Sequence, residues 1–327
     1  MTDKDSMPPA DSTELASLAL RKVAAARTHA REAFLESETY RHFQRRIDEV
    51  VEGWERVLTE LLGEANDLLL RQNEELTQVS ERLTLEMRQV QAIQESLLPQ
   101  RLPEFSGLEF ASHYLPSGEA SGDYYDFLDL SSNHVGVLVA DVSGHGAASA
   151  VVMAIMRVLA QANLNQLLLA GGALSVLNSL MTRFVPGEQF VTAIYGIYNR
   201  LSGSLSYATA GHPPPILIRA EDRSVSLLPV KPKFPLRIFE PVEYETLEVK
   251  LQPGDAVIFY TDGLTELWNI DRELAGEARL VEWLQGSPAE TASGILWGIL
   301  EQASLFTEGR PPVDDFTIVV MKRSESA

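Results

Sequence analysis

Cysteine is absent from the 327 residues. That excludes disulfides, thiolate zinc sites, iron–sulfur clusters and cysteine nucleophiles, and it fits a reducing compartment such as the cytoplasm. Long apolar runs are missing too. The most apolar segment, SAVVMAIMRVLA, is short and carries Arg157, so no bilayer span is expected. Positive charge is scarce: 27 Lys and Arg face 46 Asp and Glu, a formal net charge of −19. A chain this acidic repels phosphate backbones and anionic lipid, so neither nucleic acid nor a membrane is expected as a partner. The N-terminus, MTDKDSMPPADSTEL, lacks the apolar stretch of a signal peptide. The rest is ordinary globular composition, 45% hydrophobic and 22% charged. The length predicts about two structural units.

Glycine is scarce only at the front, where residues 1–100 contain just Gly53 and Gly63. The composition shift near Pro99 separates a helical front from a body of strands and loops. Residues 1–12 are expected to be disordered and 13–56 helical, with Asp11 and Glu14 at capping-box spacing. From Leu58 the pattern sharpens: Leu58, Leu62, Ala65, Leu69, Gln72, Leu76, Val79, Leu83, Glu86, Val90, Ile93 and Leu97 alternate in steps of four and three. That narrow stripe predicts a coiled-coil linker helix over 57–98 and a homodimer through residues 58–97. A helix lying along its own domain is the alternative, and it would show a broader stripe. Gln72 and Glu86 on the seam weaken the pairing while fixing its register. Pro99 and Pro103 end the helix.

Over 99–323 the pattern is one of strands. LEFASHY, DYYDFLDL, HVGVLVADV, FVTAIYGIY, GSLSYATA, PILIRA, SVSLLPV, YETLEVKL, DAVIFYT and DFTIVVMK are short runs bounded by Gly, Pro, Asp or Ser. HVGVLVADV and DAVIFYT are apolar on both faces, as expected of central strands covered on each side. Helices are expected over Ala147 to Leu167, along Leu174, Leu177, Met181 and Phe184, and along Ile295, Leu296 and Ile299, the last capped by Ser287, Pro288 and Glu290. The short hairpin-type links make this an α+β, mainly antiparallel domain.

Four acidic corners stand where strands meet turns: Asp123 in SGDYYDF, Asp141 in VADVSGHG, Asp262 in FYTDGLTE, and Asp314–Asp315 in PVDDFTIVV. Taken singly, each reads as a turn or cap residue. Taken together they place carboxylates beside the most apolar strands, where unpaired charge is strongly disfavoured unless a cation holds it. Oxygen-only ligation without Cys or clustered His suits Mg²⁺ or Mn²⁺. His145 and His212 read as structural residues, and Ser143 has no His and Asp at triad spacing.

In order, SGDYYDF, ADVSGHG, AGHPPP, LQPGDAVIFYTDGLTE and DDFTIVV resemble the PPM-type metal-dependent serine/threonine phosphatases, in the bacterial SpoIIE-like subfamily. The likeness covers about 95 to 323, opening with ESLLPQRLPEFSGLEFASHYLPSGEASGD. It implies an antiparallel β-sandwich flanked by helices, with two Mn²⁺ or Mg²⁺ ions at one end. By motif position Asp123 and Asp141 would be the catalytic carboxylates. Asp141 would bridge both ions, the Val142 carbonyl would join the second, and Asp262 and Asp314 would complete the first. Asp123 would act in the outer shell or through a water. Asp315 is the less certain ligand, because the family places the direct one first in this pair. The sequence departs from the subfamily in three places: Ser121 stands where Gly is commoner, KFPLRIF replaces a Pro-Leu-Gly turn, and no Arg occupies the phosphate-holding position of eukaryotic relatives.

The implied activity is hydrolysis of phosphoserine or phosphothreonine on a bacterial signalling protein, of the anti-anti-sigma STAS-domain type, by a metal-activated water. Control would come through the helical dimer, with an activator on the N-terminal helices, in a stress response. An inactive phosphatase-like scaffold, or a hydrolase of small phosphate esters, are the alternatives; the intact Asp set counts against the first.

Overall fold

The computed structural model describes residues 12–32, 38–118, 120–144, 146–163, 168–286 and 290–324. Asp11, His145, Ser287 and Pro288 therefore lie outside the described residues, as does nearly all of the segment expected to be disordered. Contacts divide the chain into two compact units between Val79 and Ser80.

The first unit holds α1 (Ser12–Glu32) and the larger part of α2 (Glu38–Leu97). Arg27 pairs with Asp48 at 2.9 Å, and Leu20 and Val23 line an apolar crevice with Val51, Trp54 and Leu58. No break separates the expected helical region from the expected linker, because α2 is one helix of 60 residues. The contact division precedes Pro99 for a physical reason. The last turns of α2 bury Gln94, with Leu98 just beyond them, in the second unit.

The second unit contains two five-stranded antiparallel sheets. One has the order β1 (Leu108–Leu115), β10 (Phe316–Arg323), β9 (Ala256–Tyr260), β6 (Ile216–Ile218), β7 (Val225–Leu227). The other runs β2 (Asp123–Ser131), β3 (His134–Val142), β4 (Val191–Asn199), β5 (Ser204–Ala210), β8 (Leu247–Lys250). Alternation along β9 shows how the layers arise. Val257 and Phe259 join the core between the sheets with Tyr195, Ile197 and Leu205, whereas Ile258 and Tyr260 face the helices. Val319 and Met321 against Ile318 and Val320 repeat the pattern on β10. Helices α3 (Ala147–Asn163) and α4 (Ala170–Phe184) cover one sheet with Met153, Met156, Leu174 and Leu177. Helices α5 (Gly276–Gln285) and α6 (Ala292–Thr307) cover the other with Leu280, Leu284, Ile295 and Ile299. This is the mainly antiparallel α+β domain that the strand pattern predicts, in the sandwich form that the family resemblance implies.

Two details differ from expectation. Helix α5 carries no sequence signal of its start: its N-cap, Ala275, makes no side-chain cap bond. Helix α6 is capped by Thr291, whose side chain accepts from the Gly294 amide at 3.0 Å, downstream of the expected cap.

Candidate metal centre

Register brings the acidic corners to one end of the sandwich. Asp123 opens β2 directly opposite Asp141 on β3. The β9–β10 pairing sets Tyr260 opposite Ile318, so Asp262, just past β9, and Asp314–Asp315, just before β10, lie at the same end. The connection around Asp262 is a short 3₁₀ turn over Asp262–Leu264. A Cβ on Gly263 would stand 2.0 Å from the Asp315 carbonyl oxygen, so only glycine lets these two segments meet. The same holds for Gly122, where a Cβ would lie 2.5 Å from the Val142 carbonyl oxygen and 3.1 Å from Asp141 Oδ1.

The carboxylates have different surroundings. Asp123 is fully buried, and its Oδ2 accepts from Thr261 Oγ1 at 2.8 Å and Thr317 Oγ1 at 2.6 Å. Burial, then the charge of Asp141, push its pKa well above the usual carboxylate range, against the pull of the two hydroxyls. Asp141 is half-buried, and its pKa rises to about 7 through burial and then the charges of Asp262, Asp314, Asp315 and Glu266. Asp262 is raised by burial and by Asp314, and Glu266 by burial, Asp262 and Asp314. Asp314 is exposed, and its Oδ1 accepts the Asp315 amide at 2.8 Å. Asp315 is buried and already engaged. Its Oδ1 accepts from the Ser117 amide (2.6 Å) and hydroxyl (2.9 Å), and its Oδ2 from the Gly122 amide (3.0 Å).

Among the described residues, no three of these side chains close into a ready ligand group, and no Lys or Arg forms an ion pair with Asp123, Asp141, Asp262 or Asp314. The donor set nevertheless fits a hard divalent cation. All donors are oxygen, and they repel one another at a buried sheet end, with the Val142 carbonyl beside them. A cation there would remove both the like-charge repulsion and the desolvation penalty.

Several residues around the centre are not apparent from motif reading. Glu266 belongs to the quoted FYTDGLTE run and adds a sixth carboxylate. Thr261 and Thr317 each adjoin an acidic corner, yet they reach Asp123 from 138 and 194 positions away. Gln94 is the buried member of the last turns of α2. Its Nε2 donates to the Ser121 carbonyl at 2.7 Å and its Oε1 accepts the Ser121 amide at 3.1 Å. Ser121 in turn accepts the Asp123 amide on its hydroxyl at 3.0 Å, so the serine that departs from the subfamily pattern has its own bond.

Two further positions gain a structural account. Arg237 stands where the turn pattern calls for Gly and adopts that residue's left-handed backbone, φ 72°. Its guanidinium donates to the carbonyls of Val185 (2.9 Å), Gly187 (2.8 Å) and Gln189. That loop leads to Phe190, whose amide donates to Ser143 Oγ at 2.9 Å and whose carbonyl accepts the Ser143 amide. Ser143 is thus occupied in holding the chain just past Val142. His212 is buried with Nδ1 2.8 Å from Thr192 Oγ1, and burial pushes its pKa down to about 3. It is a neutral packing residue beside the strand that faces Asp141.

The profile of the SpoIIE family (Stage II sporulation protein E) matches residues 131–324. The phosphoserine phosphatase RsbU of Bacillus subtilis is 24% identical over 256 residues, covering 77% of this chain and 74% of that one. Among solved structures, the RsbU and RsbW domains of a Mycobacterium tuberculosis protein align with a TM-score of 0.59 at 29% identity, over 69% of this chain and 62% of that one. The PP2C domain of SiaA from Pseudomonas aeruginosa aligns with a TM-score of 0.67 at 17% identity, over 75% of this chain and 98% of that domain.

Proposed function

This chain belongs to the SpoIIE family of PPM-type phosphatases, and from that premise we propose that it hydrolyses phosphoserine or phosphothreonine on a bacterial signalling protein of the anti-anti-sigma STAS type. The observation that carries the reading is the convergence of Asp123, Asp141, Asp262 and Asp314 at one sandwich end, with no basic partner among the described residues and with Asp141 raised to about 7. Asp141, Asp262, Asp314 and the Val142 carbonyl would hold two Mn²⁺ or Mg²⁺ ions, with Asp123 acting through a water. Such ions lower the pKa of a bound water and offset charge on the phosphoryl oxygens. They also reconcile a net charge of −19 with a dianionic substrate, because the local field is inverted.

The chain's own residues do the positioning. Thr261 and Thr317 hold Asp123 from the β9 and β10 side. Asp315, with three hydrogen bonds to residues 117–122, fastens the turn before β2 rather than reaching a cation. Gln94 fastens the same turn from the helix side. A change in the last turns of α2 would therefore pass to Asp123 across two residues.

The same reading assigns the exposed seam of α2, with Leu62, Leu69, Leu76, Val79, Leu83 and Ile93, to a second copy of the chain. The crevice of Leu20, Val51 and Trp54 is then the natural seat for an activator. RsbU of Bacillus subtilis, by its name, is a phosphoserine phosphatase, which supports the activity without identifying the substrate here. The test is turnover of p-nitrophenyl phosphate with Mn²⁺, followed by a phosphorylated STAS-domain protein. Activity that EDTA abolishes and Mn²⁺ restores supports the reading. Activity surviving exhaustive chelation, or none on either substrate, overturns it.

A further inference from the structure

A cavity of about 440 Å³ lies between the two segments that carry the metal-site carboxylates. One wall follows Glu266 and presents Trp268, Ile270 and Arg272; the other precedes Asp314 and presents Arg310, Pro312 and Val313. The cavity is within the size range of specific binding pockets, about 300–1,000 Å³. Its lining is unusual for a surface this acidic. Trp268 is 43% exposed, Ile270 56% and Val313 83%, a group of large apolar side chains that a monomer seldom leaves to water without use.

The two arginines are the second observation. Among the described residues neither the Arg272 nor the Arg310 guanidinium makes a hydrogen bond or an ion pair. That is so although Asp271 and Glu273 flank one and Glu308 lies two residues from the other. Glu273 is engaged elsewhere, accepting from Asn269 Nδ2 at 2.9 Å and lying 3.6 Å from Arg279. Arg272 also sits in left-handed backbone at φ 60°, a conformation an L-residue adopts at a cost. The hairpin that imposes it is closed by the Trp268–Leu274 bridge and by the Glu273 amide donating to Asn269 Oδ1 at 2.8 Å.

We infer that this cavity is the docking groove for the segment flanking the phosphorylated residue of the protein substrate, and that it selects an extended peptide bearing a large apolar side chain and carboxylates. The inference rests on the phosphatase reading above. Geometry supplies the link. Val313 is the neighbour of Asp314 and Leu267 the neighbour of Glu266, so a peptide in the groove has its phosphorylated side chain within a residue or two of the acidic centre. Charge supplies the selectivity. Two unpaired guanidiniums on a chain of net charge −19 create a local attraction for carboxylates that the rest of the surface repels. The apolar wall adds burial without sequence strictness.

Two synthetic phosphoserine peptides test this on the full chain with saturating Mn²⁺. One has Leu and two Glu within four residues of the phosphoserine, and the other has Ser and two Lys there; p-nitrophenyl phosphate is the control that cannot reach the groove. The wild type should favour the acidic, apolar peptide by about tenfold in kcat/KM, carried by KM. The double substitution Arg272→Gln with Arg310→Gln should remove most of that preference, with kcat and p-nitrophenyl phosphate turnover unchanged. Trp268→Ala should raise KM for the acidic peptide alone. Equal rates on the two peptides in the wild type, or an undiminished preference in the double variant, would overturn the groove. Equal loss on p-nitrophenyl phosphate would overturn it too, because the arginines would then act on the phosphoryl group. A wild type inactive on p-nitrophenyl phosphate with Mn²⁺ would instead refute the phosphatase reading beneath it.

Discussion

The seam of the long helix and the sandwich treat the same residue types in opposite ways. Along α2, Leu69, Leu76, Leu83 and Ile93 are exposed, and the ion pair Arg82–Glu86, 3.0 Å, sits on the surface between them. In the sandwich Tyr195, Phe259, Leu138 and Met153 are fully enclosed, and Asp123, Thr261, Asp315 and Thr317 are among the polar groups buried with them. A sheet end that buries Asp123 beside Asp141 is costly for a single chain. A helix that exposes a regular apolar stripe is equally costly. On the proposed reading a cation would complete the sandwich end, and a second copy of the chain would cover the helix. The two regions should therefore respond to different additions.

The largest effect should come from Asp141→Asn. Loss of that carboxylate should lower turnover with Mn²⁺ by at least about 10²-fold. In EDTA its melting temperature should match or exceed wild type, since a mutually repelling buried charge has been removed. Turnover within a factor of three of wild type, by a protein with unchanged circular dichroism, would detach Asp141 from the chemistry.

Next in size is the response to the cation itself. At 100 times its dissociation constant, Mn²⁺ should add about 2.7 kcal/mol to the folded state. For a domain of this size that is roughly 5–11 °C in Tm. Asp141→Asn should show little of this shift, and Glu86→Leu all of it. An equal shift in Asp141→Asn would place the cation elsewhere.

The parts legible in advance share one property: they are local. The ten strands follow from runs such as HVGVLVADV and DFTIVVMK ending at Gly, Pro or Asp, and Asp123, Asp141, Asp262 and Asp314 stand out because each adjoins such a run. What escaped reading is long-range or unmarked. Thr261 and Thr317 are ordinary strand-end threonines until β9 and β10 meet Asp123. Gln94 looks like one more polar position beside a coiled-coil seam, and only its two bonds to Ser121 set it apart. Helix α5 is ten residues with no side-chain cap, so nothing announced it. For α6 the expected cap lay upstream, and the cap bond that Thr291 makes carried no signal in the reading.

Gln94 supplies the third test, because it lies where the two regions' logics meet on one helix. Gln94→Leu would leave the Ser121 amide and carbonyl buried without partners, at about 1–3 kcal/mol each. It should lower Tm by several degrees and weaken Mn²⁺ binding about tenfold through the displaced Asp123 turn. Gln94→Glu keeps the acceptor for the Ser121 amide but turns a second acceptor on the Ser121 carbonyl in a buried site, and should recover little of either. Loss of stability with unchanged Mn²⁺ affinity would reduce Gln94 to a packing residue.

The smallest expected effect belongs to the seam. Glu86 occupies a position where ten of twelve residues are apolar, and pairing with a second copy would bring its carboxylate towards an apolar interface. In the single chain it loses little by substitution. Its bond to Arg82 is an exposed i,i+4 pair, worth about 0.3–0.5 kcal/mol. Glu86→Leu should therefore leave the Tm of the sandwich unchanged while tightening self-association, because leucine at a seam position removes the desolvation cost and adds apolar burial. A gain of about 1.4 kcal/mol would lower the dimer dissociation constant tenfold. Light scattering across a dilution series measures it, and basal turnover with saturating Mn²⁺, read on the same samples, shows whether pairing reaches Asp123 through Gln94 and Ser121. If association tightens and turnover moves, the helix and the sandwich are coupled. If the variant and the wild type dilute alike, the exposed stripe is not a dimer seam, and the opposite use of leucine in the two regions must have another cause.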